Sequence, residues 1–287
     1  MTIDFDALYA DVPQKDAFRL FREAHPVSHA EVDGVTWEYI DSGQGEETVL
    51  LLVGGLRVAD AAWNAIPMLE DRYRVITPTY PALSTMSALA DGLAGLLRVL
   101  KIDRVHLLAG SFGGMLAQVY VRRHPQQVNK LILSTTAVLN AETVERYKQG
   151  LAMVSPLPPE QVAELTKAYM FDVMAPPPEM HAFFRAYLHE LYTHRLSKAE
   201  VLSTYEALID FAENIRLTAD DWTGPTLVLE SDDDATFNEK TRAAVRAMYP
   251  QAQSYVFKGA GHSPGTTQRD LYYQVVKGFL KGGVLPG

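Results

Sequence analysis

The sequence predicts an α/β fold built on a doubly wound, mostly parallel sheet with a helical cap inserted ahead of its last strands. Short apolar runs alternate with amphipathic segments along most of the chain. Several runs are apolar at consecutive positions, which is typical of strands buried on both faces of a parallel sheet. The alternation stops between residues 137 and 221, where the pattern is helical. These features favour parallel strands with crossover helices and one inserted helical unit.

Apolar runs mark the predicted strands, and a spacing of three to four residues marks the helices. Leucines recur on one face of residues 87–100, which predicts an amphipathic helix there. Near the N-terminus, residues 15–24 form another predicted helix, with Phe18, Leu20 and Phe21 available for packing. The predicted strands are 36–40, 48–53, 74–77, 105–109, 130–134, 226–230 and 254–257.

The helical insertion contains two proline-rich corners, at residues 156–159 and 176–178. Because proline ends helices and fixes chain direction, we predict about four helices joined at rigid angles. An all-helical insertion between two strands of one sheet is expected to rest on the domain as a lid. The chain then divides into an N-terminal extension, a core in two pieces, a cap and a loose tail. Their bounds are 1–25, 26–139 with 220–281, 140–219 and 282–287.

Composition excludes several classes of function. The 287 residues carry 35 acidic and 26 basic side chains, and the net charge of −9 argues against binding nucleic acid or anionic membranes. The absence of cysteine excludes disulfides, zinc–thiolate and iron–sulfur sites, and cysteine nucleophiles. Apolar stretches are too short to span a membrane, and the N-terminal sequence lacks a signal-peptide pattern. We therefore expect a cytoplasmic protein that acts on a small molecule.

The most informative motif surrounds Ser111. An apolar strand leads into Ala109-Gly-Ser-Phe-Gly113, and an apolar helix follows at once. This context is typical of a nucleophile elbow, in which the serine lies on a strained strand-to-helix turn between small residues. The turn also directs a helix N-terminus and the Phe112 N–H toward the reacting centre. The alternative interpretation is a buried small-residue turn of a nucleotide-binding fold.

A nucleophilic serine requires a base and an acid that orients the base, and one common chain order is serine, acid, histidine. After the predicted strand 226–230 come Asp232, Asp233 and Asp234. Counting from Pro225 favours Asp234 as the acid, with the other two as turn residues or helix caps. His262 follows the last strand and is the only histidine after these aspartates. The remaining histidines lack the spacing of metal ligands, so we predict no metal site.

With these motifs in place, residues 30–280 resemble the α/β-hydrolase superfamily, and the helical insertion resembles its cap. The resemblance implies a catalytic triad of Ser111, Asp234 and His262. It also implies an oxyanion hole formed by the backbone N–H groups of Gly55 and Phe112. A cofactor is not expected, because no Gly-x-Gly-x-x-Gly motif with a following acid is present.

Two loops depart from the superfamily pattern. Val53 stands where the superfamily usually has histidine, and Thr79 stands where it commonly has aspartate. Ala82 replaces a glycine in the second loop, in which Tyr80 and Pro81 resemble maspardin-like proteins. These departures separate the sequence from the best-known esterase, epoxide-hydrolase and dehalogenase patterns. The serine nucleophile argues against the last two, which use aspartate.

The cap is rich in methionine and aromatic residues, and part of this set is expected to line an apolar pocket. We predict Met174 and Phe184 among the lining residues. Arg57, two residues after Gly55, has two open interpretations. It binds a substrate carboxylate, or it forms a surface ion pair, and sequence alone favours the ion pair.

The sequence therefore predicts a serine hydrolase that cleaves a carboxylic ester, a lactone or a similar acyl substrate through an acyl-enzyme on Ser111. One alternative uses the same triad for C–C bond hydrolysis, lyase or acyl-transfer chemistry, because the fold does not determine the reaction. A second alternative is a non-catalytic binding protein on a hydrolase fold.

Overall fold

A computed structural model describes residues 3–139, 141–283 and 285 of the chain. An eight-stranded sheet forms its centre, in the order β1-β2-β4-β3-β5-β6-β7-β8. The pairs β1–β2 and β2–β4 are antiparallel, and the pairs from β4 through β8 are parallel. The strands are β1 Ser28–Val32, β2 Val35–Asp41, β3 Glu47–Leu52, β4 Tyr73–Pro78, β5 Val105–Gly110, β6 Val128–Ser134, β7 Thr226–Ser231 and β8 Gln253–Phe257.

Helices cover both faces of the sheet and fill the segment between β6 and β7. Short 3₁₀ segments join several of them, and a π-helical turn at Leu191–Arg195 follows the seventh helix. The helices are α1 Phe5–Leu8, α2 Lys15–Ala24, α3 Met86–Val99, α4 Ser111–Arg123, α5 Ala141–Val154, α6 Pro159–Met174, α7 His181–Glu190, α8 Lys198–Asn214, α9 Glu239–Met248, α10 Pro264–Thr267 and α11 Arg269–Leu280.

The predicted α/β fold is confirmed, and each predicted strand matches one of β2 to β8 to within two residues at either end. The edge strand β1 was missed, because its sequence Ser-His-Ala-Glu-Val contains only two buried side chains, Ala30 and Val32. A short edge strand buries one face only and carries a weak apolar signal. Helix α2 has the predicted bounds, and its Phe18 and Phe21 are buried. The expected packing of Leu20 is wrong, since 63% of that residue is exposed.

The apolar core lies in two layers, one on each face of the sheet. Along β3, Val49 and Leu51 belong to one layer, whereas Leu50 and Leu52 belong to the other. This alternation follows from the two-residue period of a strand, and it explains why β3 is apolar at consecutive positions. Crossover helices on both faces bury these side chains.

The insertion between β6 and β7 consists of α5 to α8, in agreement with the predicted four helices and two proline corners. The first corner lies between α5 and α6, and the second lies between α6 and α7. The division into domains stays a prediction. Asn140, where the predicted cap begins, lies outside the described residues, as do residues 1, 2, 284, 286 and 287 of the predicted extension and tail. Within the described part of the chain, every helix is too short or too polar to cross a membrane.

Candidate active site

Ser111 lies at the junction between β5 and α4, where the chain turns from strand to helix. Its φ of +51° is in the left-handed region, which costs a non-glycine residue about 1–3 kcal/mol. The turn is crowded, because a Cβ at Gly113 would lie 2.4 Å from the carbonyl oxygen of Leu52. A Cβ at Gly114 would lie 2.6 Å from the side chain of Thr136. Small residues are therefore required at both positions, and the strained turn presents the Ser111 hydroxyl at the end of the strand.

Strands β7 and β8 bring the predicted acid and base to Ser111. The His262 Nε2 lies 3.1 Å from the Ser111 Oγ, and the His262 Nδ1 lies 3.0 Å from the Asp234 Oδ2. Asp234 and His262 are 5% and 8% exposed, respectively. The Asp234 Oδ1 also accepts hydrogen bonds from the backbone N–H groups of Thr236 and Phe237. These bonds fix the carboxylate on the far side of the imidazole from the serine.

Asp232 and Asp233 have structural partners in the loop that carries His262. The Asp232 Oδ1 accepts from the Gly259 N–H at 2.9 Å, and the Asp233 Oδ1 accepts from the Gly261 N–H at 2.8 Å. The hydrogen bond from the Ser231 hydroxyl lowers the pKa of Asp233, and the bond from the Gly259 N–H lowers that of Asp232. Both carboxylates therefore hold the loop before His262, a role that the sequence analysis missed. Gly259 and Gly261 have positive φ. The two glycines just before His262 were the feature of the sequence that could have indicated this loop.

A cavity of about 100 Å³ opens beside Ser111. Its floor includes Gly55, Ser111 and Phe112 from the core. The insertion supplies most of its walls, from α5, α6, the π-helical turn and α8. Those wall residues are mainly apolar or aromatic: Tyr147, Thr166, Tyr169, Met170, Val173, Tyr192, Val201, Thr204, Tyr205 and Leu208. The insertion therefore lies above the carboxyl ends of the strands and partly covers the serine.

Neither Met174 nor Phe184 is among the residues that line this cavity. On α6 the lining residues follow a helical spacing that includes Met170 and Val173. Met174 lies outside this wall, and its carbonyl oxygen accepts from the Ser263 hydroxyl. Phe184 is 5% exposed, and its ring packs edge-on against Phe183 at 5.3 Å. The prediction for these two residues is wrong, because composition identified the cap without identifying which helix face points to the serine.

Arg57 is buried rather than part of a surface ion pair, so the favoured interpretation of this residue is wrong. It is 1% exposed and lines the cavity with Ser111. Its guanidinium donates to the Thr204 Oγ1 at 2.7 Å and to the carbonyl oxygens of Tyr80 and Pro81. Burial lowers the pKa of Arg57 to about 10, which leaves the side chain cationic at neutral pH.

The loop that carries Gly55 is held by residues that depart from the superfamily pattern. The Tyr80 hydroxyl donates to the Val53 carbonyl oxygen at 2.7 Å. The Thr79 Oγ1 accepts from the Ala59 N–H at 3.0 Å, so threonine supplies an acceptor where the superfamily commonly has aspartate. Gly54 faces the nucleophile turn, since a Cβ there would lie 3.3 Å from the Ser111 Cβ. The altered residues therefore support the loop beside the serine.

Comparison with known proteins identifies the family. A family model described as serine aminopeptidase, S33, matches residues 96–264, which is more than half of the chain. The chain belongs to this S33 hydrolase family. It is an enzyme of the α/β-hydrolase type, and the predicted superfamily and hydrolase class are confirmed.

Proteins similar to this S33 hydrolase include a bacterial hydrolase of related sequence and solved structures that share the fold. The chain is 26% identical over 273 residues to 2-hydroxy-6-oxononadienedioate/2-hydroxy-6-oxononatrienedioate hydrolase 1 of Dechloromonas aromatica, covering 84% of this chain and 89% of that protein. A hydrolase from Pseudomonas aeruginosa has the same fold with a TM-score of 0.76, at 19% identity, covering 89% of this chain and 98% of that one. The enol-lactonase of Burkholderia xenovorans has a TM-score of 0.73, at 20% identity, with 88% and 100% covered.

Proposed function

We propose that this S33 hydrolase cleaves a carboxylic ester, a lactone or a similar acyl substrate through an acyl-enzyme on Ser111. The observation that carries the proposal is the chain of hydrogen-bond distances from Asp234 through His262 to the Ser111 Oγ, beside a cavity partly covered by the insertion. In such an arrangement the base activates the nucleophile and the acid orients the base. The chain order of the three residues is also that of α/β-hydrolases.

The Ser111 Oγ attacks the carbonyl carbon while the His262 Nε2 accepts the hydroxyl proton. The Asp234 carboxylate accepts a hydrogen bond from the His262 Nδ1–H, which orients the imidazole, and it stabilises the imidazolium that forms. The tetrahedral intermediate collapses, the imidazolium gives its proton to the leaving oxygen, and the acyl group stays on Ser111. Water then gives a proton to His262, attacks the acyl carbon and releases the acid and the serine.

The negative charge of the intermediate needs donors on the opposite side of the carbonyl from His262. We assign this role to the backbone N–H groups of Phe112 and Gly55. Phe112 lies in the first turn of α4, where the helix dipole and free N–H groups favour an anion. Gly55 lies on the same cavity wall as Ser111, on a loop held by Tyr80. Prepositioned donors of this kind are worth several kcal/mol to the transition state, roughly 3–4 for a single one.

The insertion, proposed as a cap domain over residues 140–219, controls which small molecules reach Ser111. Its α6 and α8 supply apolar and phenolic side chains to the cavity wall. The cavity of about 100 Å³ is smaller than one of about 150 Å³ in another protein that holds a benzene ring, so its volume suits a small acyl group. Partial coverage by a cap also excludes some of the bulk water, which strengthens the electrostatic interactions at the serine.

C–C bond hydrolysis is the second candidate, and the name of the Dechloromonas aromatica relative favours it. The substrate in that name is a keto dicarboxylate without an ester bond, so its hydrolysis breaks a C–C bond. The same three residues serve both reactions, because the fold does not determine which bond breaks. A substrate panel separates the two. Purified protein is assayed with aryl esters, lactones and vinylogous 1,5-diketones, with the Ser111→Ala variant as the blank. Turnover of esters or lactones supports the proposal, whereas turnover of the diketones alone replaces it with the second candidate.

A further inference from the structure

The Arg57 guanidinium is a buried positive charge that forms no ion pair with any carboxylate among the described residues. Glu200 on α8 is close enough to act on Arg57 electrostatically, but its carboxylate accepts hydrogen bonds from Ser197 instead. Its hydrogen-bond acceptors are all neutral: the Thr204 hydroxyl and the carbonyl oxygens of Tyr80 and Pro81. The Nε is buried, and the described protein atoms offer it no acceptor. An unpaired charge in the interior is costly, so such groups are normally paired.

The other buried charged groups in the described part of the chain follow that expectation. Asp60 and Glu190 contact Arg22 at 2.7 and 2.8 Å. Glu230 pairs with Arg246, and Asp234 pairs with His262. Arg57 is the exception, although it is as deeply buried as any of them. An exception of this kind points to a partner that arrives with the ligand.

The position of Arg57 directs this charge to the cavity that contains Ser111. Both residues line its wall, together with the phenols of Tyr192 and Tyr205. Burial raises the pKa of both tyrosines, so their hydroxyl groups stay protonated at neutral pH and can donate hydrogen bonds. The φ of Arg57 is +66°, a conformation that glycine adopts at lower cost. A large cation therefore occupies a strained position at the edge of the site.

We infer that the substrate carries a carboxylate in addition to the acyl bond that is cleaved, and that Arg57 binds this carboxylate. The inference rests on the proposed function of Ser111 and names the substrate class. The carboxylate supplies a negative charge in direct contact with the guanidinium and the missing acceptor for the Nε–H. Charge-assisted hydrogen bonds of this kind are roughly twice as strong as neutral ones, and a partly covered cavity screens them less than bulk water does.

Selectivity follows from the same contact. A neutral substrate would leave the guanidinium buried and unpaired. Its binding is therefore weakened by the cost of that unpaired charge as well as by the loss of the contact itself. The net charge of −9 gives the protein no general attraction for anions. Among the described residues that line the cavity, Arg57 is the only charged one, so affinity for an anionic substrate is expected to depend on it.

The first test uses the wild-type protein and the rate at which a fluorophosphonate labels Ser111. Glutarate and its uncharged analogue glutaramide are compared as protecting ligands at equal concentration. Glutarate is expected to slow labelling at concentrations at least about 10-fold below those required of glutaramide. Equal protection, or none by either compound, overturns the carboxylate site while leaving the nucleophile established. Absence of labelling in the unprotected protein overturns the proposed function itself.

The second test compares mono-4-nitrophenyl glutarate with 4-nitrophenyl pentanoate, in which a methyl group replaces the carboxylate. In Arg57→Met, the ratio of kcat/KM for the anionic ester to that for the neutral ester should fall about 10- to 100-fold. Arg57→Lys should retain part of the ratio. The matched control is Arg123→Met, which removes an exposed cation outside the cavity wall and should change the ratio by less than about threefold. A parallel loss on both esters shows that Arg57 only supports the loop, which contradicts the inference.

Discussion

Two groups of buried charge meet at the π-helical turn Leu191–Arg195, and they are balanced in opposite ways. In the first, Asp60 and Glu190 are each 3% exposed and are paired with Arg22 and Arg195. In the second, Arg57 is 1% exposed and has only neutral partners among the described residues. The first group is complete without a ligand, whereas the second is not. The buried charges of the first group therefore hold parts of the fold together, whereas we infer that the buried charge of the second group binds the substrate.

The paired group joins three parts of the chain that lie far apart in sequence. Arg22 comes from α2, Asp60 from the segment after β3, and Glu190 from the end of α7. Tyr9 donates to Glu190 at 2.6 Å, and Tyr187 donates to Asp60 at 2.8 Å. Burial alone would raise the pKa of Asp60, but Arg195 and Arg22 hold it below its usual value. These contacts therefore hold the N-terminal segment, the core and the insertion together.

This paired group lies close to the site, because the same π-helical turn contributes Tyr192 to the cavity wall. Arg195 at the end of the turn contacts Asp60 at 2.7 Å. The turn is therefore anchored by the paired charges and presents a phenol beside the unpaired one. The comparison predicts that removing charge from the first group costs stability, whereas removing charge from the cavity costs activity.

The largest expected effect concerns Asp234, the buried carboxylate that contacts His262. Asp234→Asn should lower kcat/KM on an ester substrate about 10⁴-fold, because the imidazole loses its orienting acceptor. Asp233→Asn is the matched control, and its loss should be far smaller, since this carboxylate holds the loop rather than the imidazole. Steady-state kinetics with a chromogenic ester measures both. Comparable losses in the two variants would contradict the assignment of the acid.

The next effect concerns the paired group. Asp60→Ala should lower the free energy of unfolding by about 3–5 kcal/mol, because it leaves Arg22 and Arg195 without one buried partner. Asp91→Ala serves as the control. Its ion pair with Arg123 is solvent-exposed on both sides and should be worth less than about 1 kcal/mol. Urea denaturation monitored by circular dichroism gives both values, and a small effect at Asp60 would break the comparison.

A smaller stability effect is expected when the unpaired charge is removed. Arg57→Met deletes a buried cation that forms no ion pair with the carboxylates that the structure describes, and apolar replacement of buried charge is often neutral or favourable. The neutral hydrogen bonds that are lost limit this gain, so the change in unfolding free energy should stay within about 2 kcal/mol. The same urea titration measures it. A loss as large as that of Asp60→Ala would show that Arg57 is a structural residue.

The smallest expected effect concerns the apolar wall. Met170→Ala should shift the ratio of kcat/KM toward bulkier acyl groups by about 10-fold, in keeping with the value of one or two methylene groups in a pocket. Met153→Ala is the control on the same insertion, because Met153 is 63% exposed and outside the cavity wall. A series of 4-nitrophenyl esters of increasing chain length provides the measurement. An equal shift in both variants would mean that the effect does not arise in the cavity.

The fold and the three aligned residues could be predicted because their signals are local. The small residues around Ser111, the aspartates after β7 and the glycines before His262 each lie within a few positions of the residue they position. The charge arrangement could not be predicted in this way. Arg57 was assigned to the surface because its partners, Tyr80 and Thr204, lie 23 and 147 positions away in sequence. Long-range packing likewise decided that Met170, rather than Met174, faces the serine.

The most direct test of the central claim is to locate the reactive group. Wild-type protein, Ser111→Ala and Ser263→Ala are treated with a fluorophosphonate, and the adduct is mapped by peptide mass spectrometry. Ser263 is the matched control because it follows the base in sequence and donates its hydroxyl to the Met174 carbonyl oxygen rather than to His262. We expect a single adduct on Ser111 in the wild type and in Ser263→Ala, and none in Ser111→Ala. An adduct that persists in Ser111→Ala, or a wild-type protein that resists the reagent, would contradict the account.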